Sequence, residues 1–472
     1  MYRRLLAIGA IIPIFLLFPL SGLAWAAEPS LEDLQKAVEA AQVSADTGFM
    51  LIAAALVLLM TPGLAFFYGG FVRGRNVLNT MMMSLLLMAM VGTTWVIWGY
   101  SLSFAPGLPF IGGLQWFFLN GVGFETTGYL QGSLPEEVVS YAGTIPHQAF
   151  MIYQAMFAII TPALISGAIV ERISFKAYFL FMLLWSSILY PIFAHMVWAK
   201  GGFLGLYGGM GALDFAGGTV VHISSGVSAL VAAWVIGPRK TFPNQLKPPH
   251  NVPFILLGAG LLWFGWFGFN GGSALASGSL STLAFVNTTT SASAAALMWI
   301  LLEWVLRGKP TAVGIATGAV AGLVGITPAA GFVTVLGALL IGAITTTFCF
   351  FAVSLKAKLQ FDDSLDTFPV HGVGGTVGAI LTGVFATKFV NAAGGNGLLF
   401  GDEGKLFVGN APGQVVTQII ATVITYAIAG VGTFVILKII DATVGLRVTA
   451  EQEYQGLDIN EHGEEGYNDL AG

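Results

Sequence analysis

The chain has 472 residues, 56% of them apolar and only 9% charged. A soluble domain carries about 25% charged residues, so this composition excludes the soluble classes and places the chain in a membrane. The net charge of −5 says little, because the charges collect in loops and in the tail.

The N-terminus reads MYRRLLAIGAIIPIFLLFPLSGLAWAAEPS. Arg3 and Arg4 precede an apolar core that ends in small residues at Ala24, Ala26 and Ala27, which is a signal-peptide pattern with cleavage near Ala26 or Ala27. An uncleaved membrane helix is the alternative, but Pro13, Pro19 and Gly22 break the core. Residues 1–26 are therefore expected to be a signal, and 27–46 a periplasmic segment with a short amphipathic helix over 31–43.

A membrane helix needs about 20 mainly apolar residues. Eleven such runs follow, near 48–71, 77–103, 147–170, 175–197, 216–237, 253–273, 280–305, 311–328, 332–355, 370–387 and 415–438. The predicted class is an all-α membrane protein. It has eleven spans, arranged as two inverted repeats of five (spans 1–5 and 6–10) plus an eleventh helix. Residues 47–438 form the transmembrane domain and 439–472 a cytoplasmic tail.

Basic residues test this count, because cytoplasmic loops carry an excess of Lys and Arg. With the N-terminus outside, Arg73, Arg75, Arg172, Lys176, Arg239, Lys240, Lys247, Arg307, Lys309, Lys356, Lys358, Lys438 and Arg447 all fall inside. Only Lys36, Lys200, Lys388 and Lys405 of the mature chain fall outside. Losing or gaining one span would scramble that separation.

Ionisable side chains at membrane depth are costly and so mark candidate functional positions. His222 lies in the fifth predicted span, His371 in the tenth, His195 near the outer end of the fourth and Glu303 near the inner end of the seventh. In DFAGGTVVHISSG, Asp214 precedes His222 by eight residues, about 12 Å along a helix. Asp214 therefore cannot orient His222. It is expected to cap the helix, and its charge would also favour a cation at the mouth.

His222 and His371 stand in similar surroundings, GGTVVHISSGVSAL and FPVHGVGGTVGAIL, at repeat-related positions. Inverted repeats bring such elements together near the midplane, and small residues permit close packing there. The two histidines are expected to face each other across a narrow path and share one proton. Two histidines without a carboxylate or thiolate fall short of a metal site. No zinc-protease HExxH and no nucleotide-binding loop are present, so neither enzyme nor cofactor is expected. Cys349, the single cysteine, reads as a small packing residue.

With these features the chain resembles the ammonium transporter family (Amt/Mep/Rh), specifically the bacterial Amt type. The resemblance rests on ALDFAGGTVVHISSGVSAL, TPGLAFFYGGFVRGRNVLN, AIVERISFKAY, GWFGFNGGSA and DDSLDTFPVHGVGG, and it covers about residues 46–467. It implies an outer recruitment site for ammonium at Phe157, Trp198 and Ser273, with Asp214 at the entrance. Phe157 and Phe269 would be a stacked gate, Trp266 would line the path, and His222 and His371 would be the twin histidines of the pore and proton relay. Gln154 and Tyr153 sit beside the mouth, Tyr153 where many members have Phe. The stretch AKGGFLGLYGGMGAL, between Trp198 and Asp214, is longer than the family leads one to expect.

The implied function is ammonium transport into the cytoplasm across the cell membrane, as ammonia with the proton carried separately. An ammonium sensor and a Rhesus-type neutral gas channel are the alternatives. The resemblance also implies a homotrimer and a PII-type nitrogen regulatory partner at the tail. Composition alone reads that acidic, glycine-interrupted tail as solvated and partly disordered.

Overall fold

The computed structural model describes residues 30–467 except 125, 127–140, 142, 246, 360, 402 and 406–411. The expected signal, 1–26, lies outside the described residues. By its contacts the chain divides into Met1–Gln42 and Val43–Gly472. In the first unit the described residues are helical from Leu31, with Ser30 and Asp33 bonded to each other at its start.

The second unit is a helical bundle, and the first of its helices begins within the first unit. Among the described residues ten helices are long and apolar enough to cross a membrane: α1 (Leu31–Phe71), α2 (Gly74–Phe104), α3 (His147–Ser166), α4 (Phe175–Trp198), α5 (Gly218–Ile236), α6 (Val252–Ala274), α7 (Ser279–Arg307), α9 (Val335–Lys356), α10 (Phe368–Phe385) and α11 (Pro412–Thr443). Between α7 and α9 the expected run 311–328 forms the shorter α8 (Ala312–Ile326). The amphipathic helix expected over 31–43 is not separate; α1 is continuous from Leu31 to Phe71.

Polar residues start these helices. Asn251, Ser174, Thr311 and Thr334 each accept the N–H of a residue three positions on, as N-caps do. A two-residue hairpin, β1 (Gly107–Leu108) with β2 (Ile111–Gly112), lies at the end of the bundle opposite the tail.

The halves repeat in local detail. After α3 and after α8 the chain makes the same six-residue turn, then pairs one residue in an isolated bridge (Ile173 with Arg447, Val333 with Ala386). A Ser174 or Thr334 cap then opens the next helix. Helices α5 and α10 both begin with six residues of π-helix, Gly218–Ile223 and Phe368–Val373, a form frequent at functional sites.

Each half also braces the other. The Phe215 N–H donates to the Pro328 carbonyl (3.1 Å), beside the entry to α5. Arg172 donates to the Asp362 carbonyl (2.7 Å) and the Ser364 hydroxyl (2.6 Å), beside the entry to α10.

The tail is docked rather than loose, contrary to what its composition implies. A short helix, α12 (Ala450–Gln455), is capped by Thr449. Beyond it the Asp458 carboxylate accepts the N–H groups of Leu78 (3.1 Å) and Asn79 (2.8 Å), and Glu461 accepts that of Phe175 (2.8 Å). These are unsatisfied donors in the first turns of α2 and α4, where negative charge is favoured.

Candidate functional site

The site is built where α5 and α10 cross. A Cβ placed on Gly226 would stand 2.2 Å from the Gly372 nitrogen, so only glycine lets the two backbones meet there. That approach brings His222 and His371 together as expected, Nδ1 to Nδ1 at 3.2 Å, with ring centroids 5.3 Å apart. A hydrogen bond between two Nδ1 atoms uses one proton, so one ring donates and the other accepts. The His222 Nε2 is buried without a hydrogen-bond partner among the described residues.

The pair borders a cavity of about 10 Å³ with an otherwise apolar lining that includes Leu64, Val221, Trp266 and Phe269. Trp266 lies over His222 with ring centroids 5.4 Å apart, held by its indole N–H donating to Thr327 (2.9 Å). His371 also borders a second small cavity, about 20 Å³, toward the tail end with Phe71, Leu365 and Thr367.

On the other side of the pair two rings close the way. Phe157 and Phe269 have centroids 4.3 Å apart and are tilted by 35°. Phe269 lines the histidine cavity; Phe157 lines a larger vestibule, about 230 Å³, at the end opposite the tail. Trp198, Ser273, Gln154 and Asp214 line that vestibule as well. Trp198 meets Phe157 edge to face at 5.6 Å, and its indole N–H donates to the Asp214 carbonyl (2.9 Å). Asp214, Trp198, Ser273, Phe157, Phe269, Trp266, His222 and His371 therefore succeed one another from the vestibule to the cavity along one line.

Asp214 is a cap, as helix geometry implied, and a saturated one. Its carboxylate accepts backbone N–H groups from Gly217 (2.7 Å), Gly218 (2.6 Å), Thr219 (2.8 Å) and Val220 (3.2 Å), together with the Thr219 hydroxyl. Gly217, at φ +117°, makes the turn that returns the chain to its cap. The counterpart in the other half, Asp363, was missed. It accepts from the N–H groups of Thr367 (3.1 Å) and Phe368 (2.7 Å), eight residues before His371, just as Asp214 stands eight before His222. That shared spacing was the available signal.

His195 and Glu303 lie off the line. The His195 Nδ1 is 3.0 Å from the Ser103 carbonyl. Glu303 accepts the Thr311 N–H (2.7 Å) and pairs with Arg307 at 3.5 Å.

A buried charge cluster at the tail end was also missed. Glu171 pairs with Arg73 (2.9 Å) and Arg239 (2.7 Å), and Arg239 with Asp362 (2.8 Å). Burial alone would raise the Glu171 carboxyl, but Arg239 and Arg73 outweigh it and hold the group down at about 2. Among the described residues no cluster of three or more His, Cys, Asp or Glu could hold a metal ion.

The model of the Ammonium Transporter Family matches residues 48–467. An ammonium transporter of Bacillus subtilis is 49% identical over 425 residues, 90% of this chain and 98% of that protein. The crystal structure of Saccharomyces cerevisiae Mep2 superposes with a TM-score of 0.74 at 35% identity, covering 86% of this chain and 88% of the other. A structure titled Sensor Amt Protein superposes with a TM-score of 0.77 at 28% identity, covering 90% and 100%.

Proposed function

The chain belongs to the Ammonium Transporter Family, and from that premise we propose how its passage carries ammonium. The vestibule end faces outside and the tail end the cytoplasm of a cell membrane, as the basic residues of the tail-end loops favour. Ammonium rests against the Phe157 and Trp198 rings, an attraction of about 0.5–2 kcal/mol depending on desolvation. It donates a hydrogen bond to the Ser273 hydroxyl oxygen. Asp214 acts through its charge, since its oxygens are held by backbone.

An ion is costly in an apolar passage. Ammonium therefore gives up one proton, and neutral ammonia passes between Phe157 and Phe269, along Trp266, and over the histidine pair. The proton crosses separately through His222 and His371 and rejoins ammonia at the tail side. Potassium has no proton to shed and is refused.

The carrying observation is the order along one line: an aromatic vestibule, a two-ring closure, and then the His222–His371 hydrogen bond in an otherwise apolar cavity. The test is ammonium-dependent current in proteoliposomes on solid-supported electrodes. Current that persists unchanged when both His222 and His371 become Ala would remove the relay.

The domain plan belongs to the same proposal, with a cleaved signal, a transmembrane body and a regulatory tail. So do a homotrimer with one pore in each subunit and a PII-type protein at the tail face. Co-purification under low and high nitrogen tests that partner.

A further inference from the structure

The end of the bundle opposite the tail carries an apolar patch that the transport path does not use. It lies on the loop after α2, where residues 105–120, APGLPFIGGLQWFFLN, hold no charged side chain. Leu108, Phe110, Leu114, Phe117 and Phe118 are all exposed there, Leu114 by 60% and Phe118 by 63%. The Phe117 and Phe118 rings meet edge to face, with centroids 4.6 Å apart. Large apolar side chains gathered on one surface mark a contact with membrane or protein rather than with water.

The patch is built, not left over from a slack loop. Trp116 is buried within it: its ring stacks on Tyr100 at 5.4 Å, and its backbone N–H donates to the Ser101 hydroxyl oxygen (3.0 Å). Ser101 in turn donates to the Gly113 carbonyl (2.8 Å), and the β1–β2 hairpin closes the turn before it. Just past Trp116, Phe118 and Leu119 take left-handed backbone, at φ 53° and 58°. Side chains of that size are strained there, and such strain persists only where the surroundings impose it. Yet the outcome is an exposed Phe118, which water disfavours and hydrocarbon favours.

Position decides between lipid and a protein partner. The loop begins directly after α2 ends at Phe104, so it lies where that span leaves the bilayer. Met82, Leu85 and Val96 are exposed on one face of α2, so apolar surface runs along the span and continues onto the loop. Aromatic side chains are enriched at that level of a membrane. A protein partner would be selected by a polar rim, and this stretch offers it no charge.

We propose that residues 107–119 form an interfacial anchor: the loop rests among the lipid headgroups at the vestibule end, with Phe110, Leu114, Phe117 and Phe118 dipping into the acyl boundary. The anchor also steadies the vestibule. The Phe203 N–H donates to the Pro109 carbonyl (3.0 Å), and the stretch after Phe203 places Leu206 and Tyr207 in the vestibule wall. The proposal does not depend on where ammonium binds.

The single cysteine, Cys349, is buried, so Cys349→Ala gives a background in which one position at a time takes a nitroxide label. Phe110→Cys and Phe118→Cys are labelled in full-length protein in phosphatidylcholine–phosphatidylglycerol vesicles, with Lys388→Cys, on an exposed outer loop, as the reference in water. Power-saturation EPR compares collisions with oxygen, which concentrates in lipid, and with a water-soluble nickel chelate. Oxygen is expected to dominate at 110 and 118 and nickel at 388. Nickel dominating at 110 and 118 places the patch in water and overturns the proposal. Few collisions with either probe place it under protein, a second copy or another part of this chain, and overturn it as well. The two positions are read independently, so a variant that fails to fold leaves the other to decide.

Discussion

His222 and His371, 149 residues apart in the chain, share a single hydrogen bond between their Nδ1 atoms in an otherwise apolar cavity. A bond of this kind is complete only as a pair. Replacing His371 by Ala strands the His222 Nδ1 in a dry setting, at a cost of about 1–3 kcal/mol. The expected outcome is a lower melting temperature in detergent for either single Ala variant. The double Ala variant should lose less than the two singles combined, because it leaves no stranded partner. A double-mutant cycle on thermal unfolding measures this directly.

Gly226 makes the pairing possible. Gly226→Ala puts a methyl group 2.2 Å from the Gly372 nitrogen, and backbone cannot yield as a flexible side chain would. Forcing α5 and α10 apart is expected to destabilise the protein by about 3 kcal/mol and to abolish ammonium current. Folded protein with parental half-saturation and current would show that the crossing tolerates the added volume.

Asp214→Ala removes every acceptor that the start of α5 uses at that position. A cap is ordinarily worth about 0.5–2 kcal/mol, and a buried carboxylate with five donors should exceed that range. Asp214→Asn keeps one acceptor oxygen and should fall between. Their order, parent above Asn above Ala, is read from thermal unfolding of the detergent-solubilised protein.

The charge cluster at the tail end predicts a pH dependence. The folded-state value of Glu171, about 2, lies below its ordinary value of 4.5. A depressed carboxyl contributes stability that is fully present above the ordinary value and is lost as pH falls through the folded one. The loss attributable to Glu171 therefore falls between about pH 4.5 and 2. Glu171→Gln should be less stable than the parent at pH 7, and the gap should narrow across that acid window. Melting temperatures at pH 7, 4.5 and 3 decide it.

Much of this was legible before the structure. Apolar runs located the spans, and glycine-rich surroundings at corresponding positions singled out His222 and His371. What escaped notice depends on contacts between distant segments. Glu171 and Arg239 meet across 68 residues, and Arg239 and Asp362 across 123; no local pattern announces such pairs. Asp363 is different, since its spacing to His371 repeats that of Asp214 to His222. The docked tail could not be read from composition, because its carboxylates are used by N–H groups at the starts of α2 and α4.

The reciprocal bracing of the halves has a consequence in time. A chain is made from its N-terminus, so the entry to α5 is synthesised more than a hundred residues before Pro328, the residue that supports Phe215. The entry to α10 comes last and meets Arg172, already in place. One mouth must wait for its support while the other arrives to find it waiting. The first opening is therefore finished only when residue 328 arrives, the second as soon as it is made, and a nascent chain halted before residue 328 has no completed mouth.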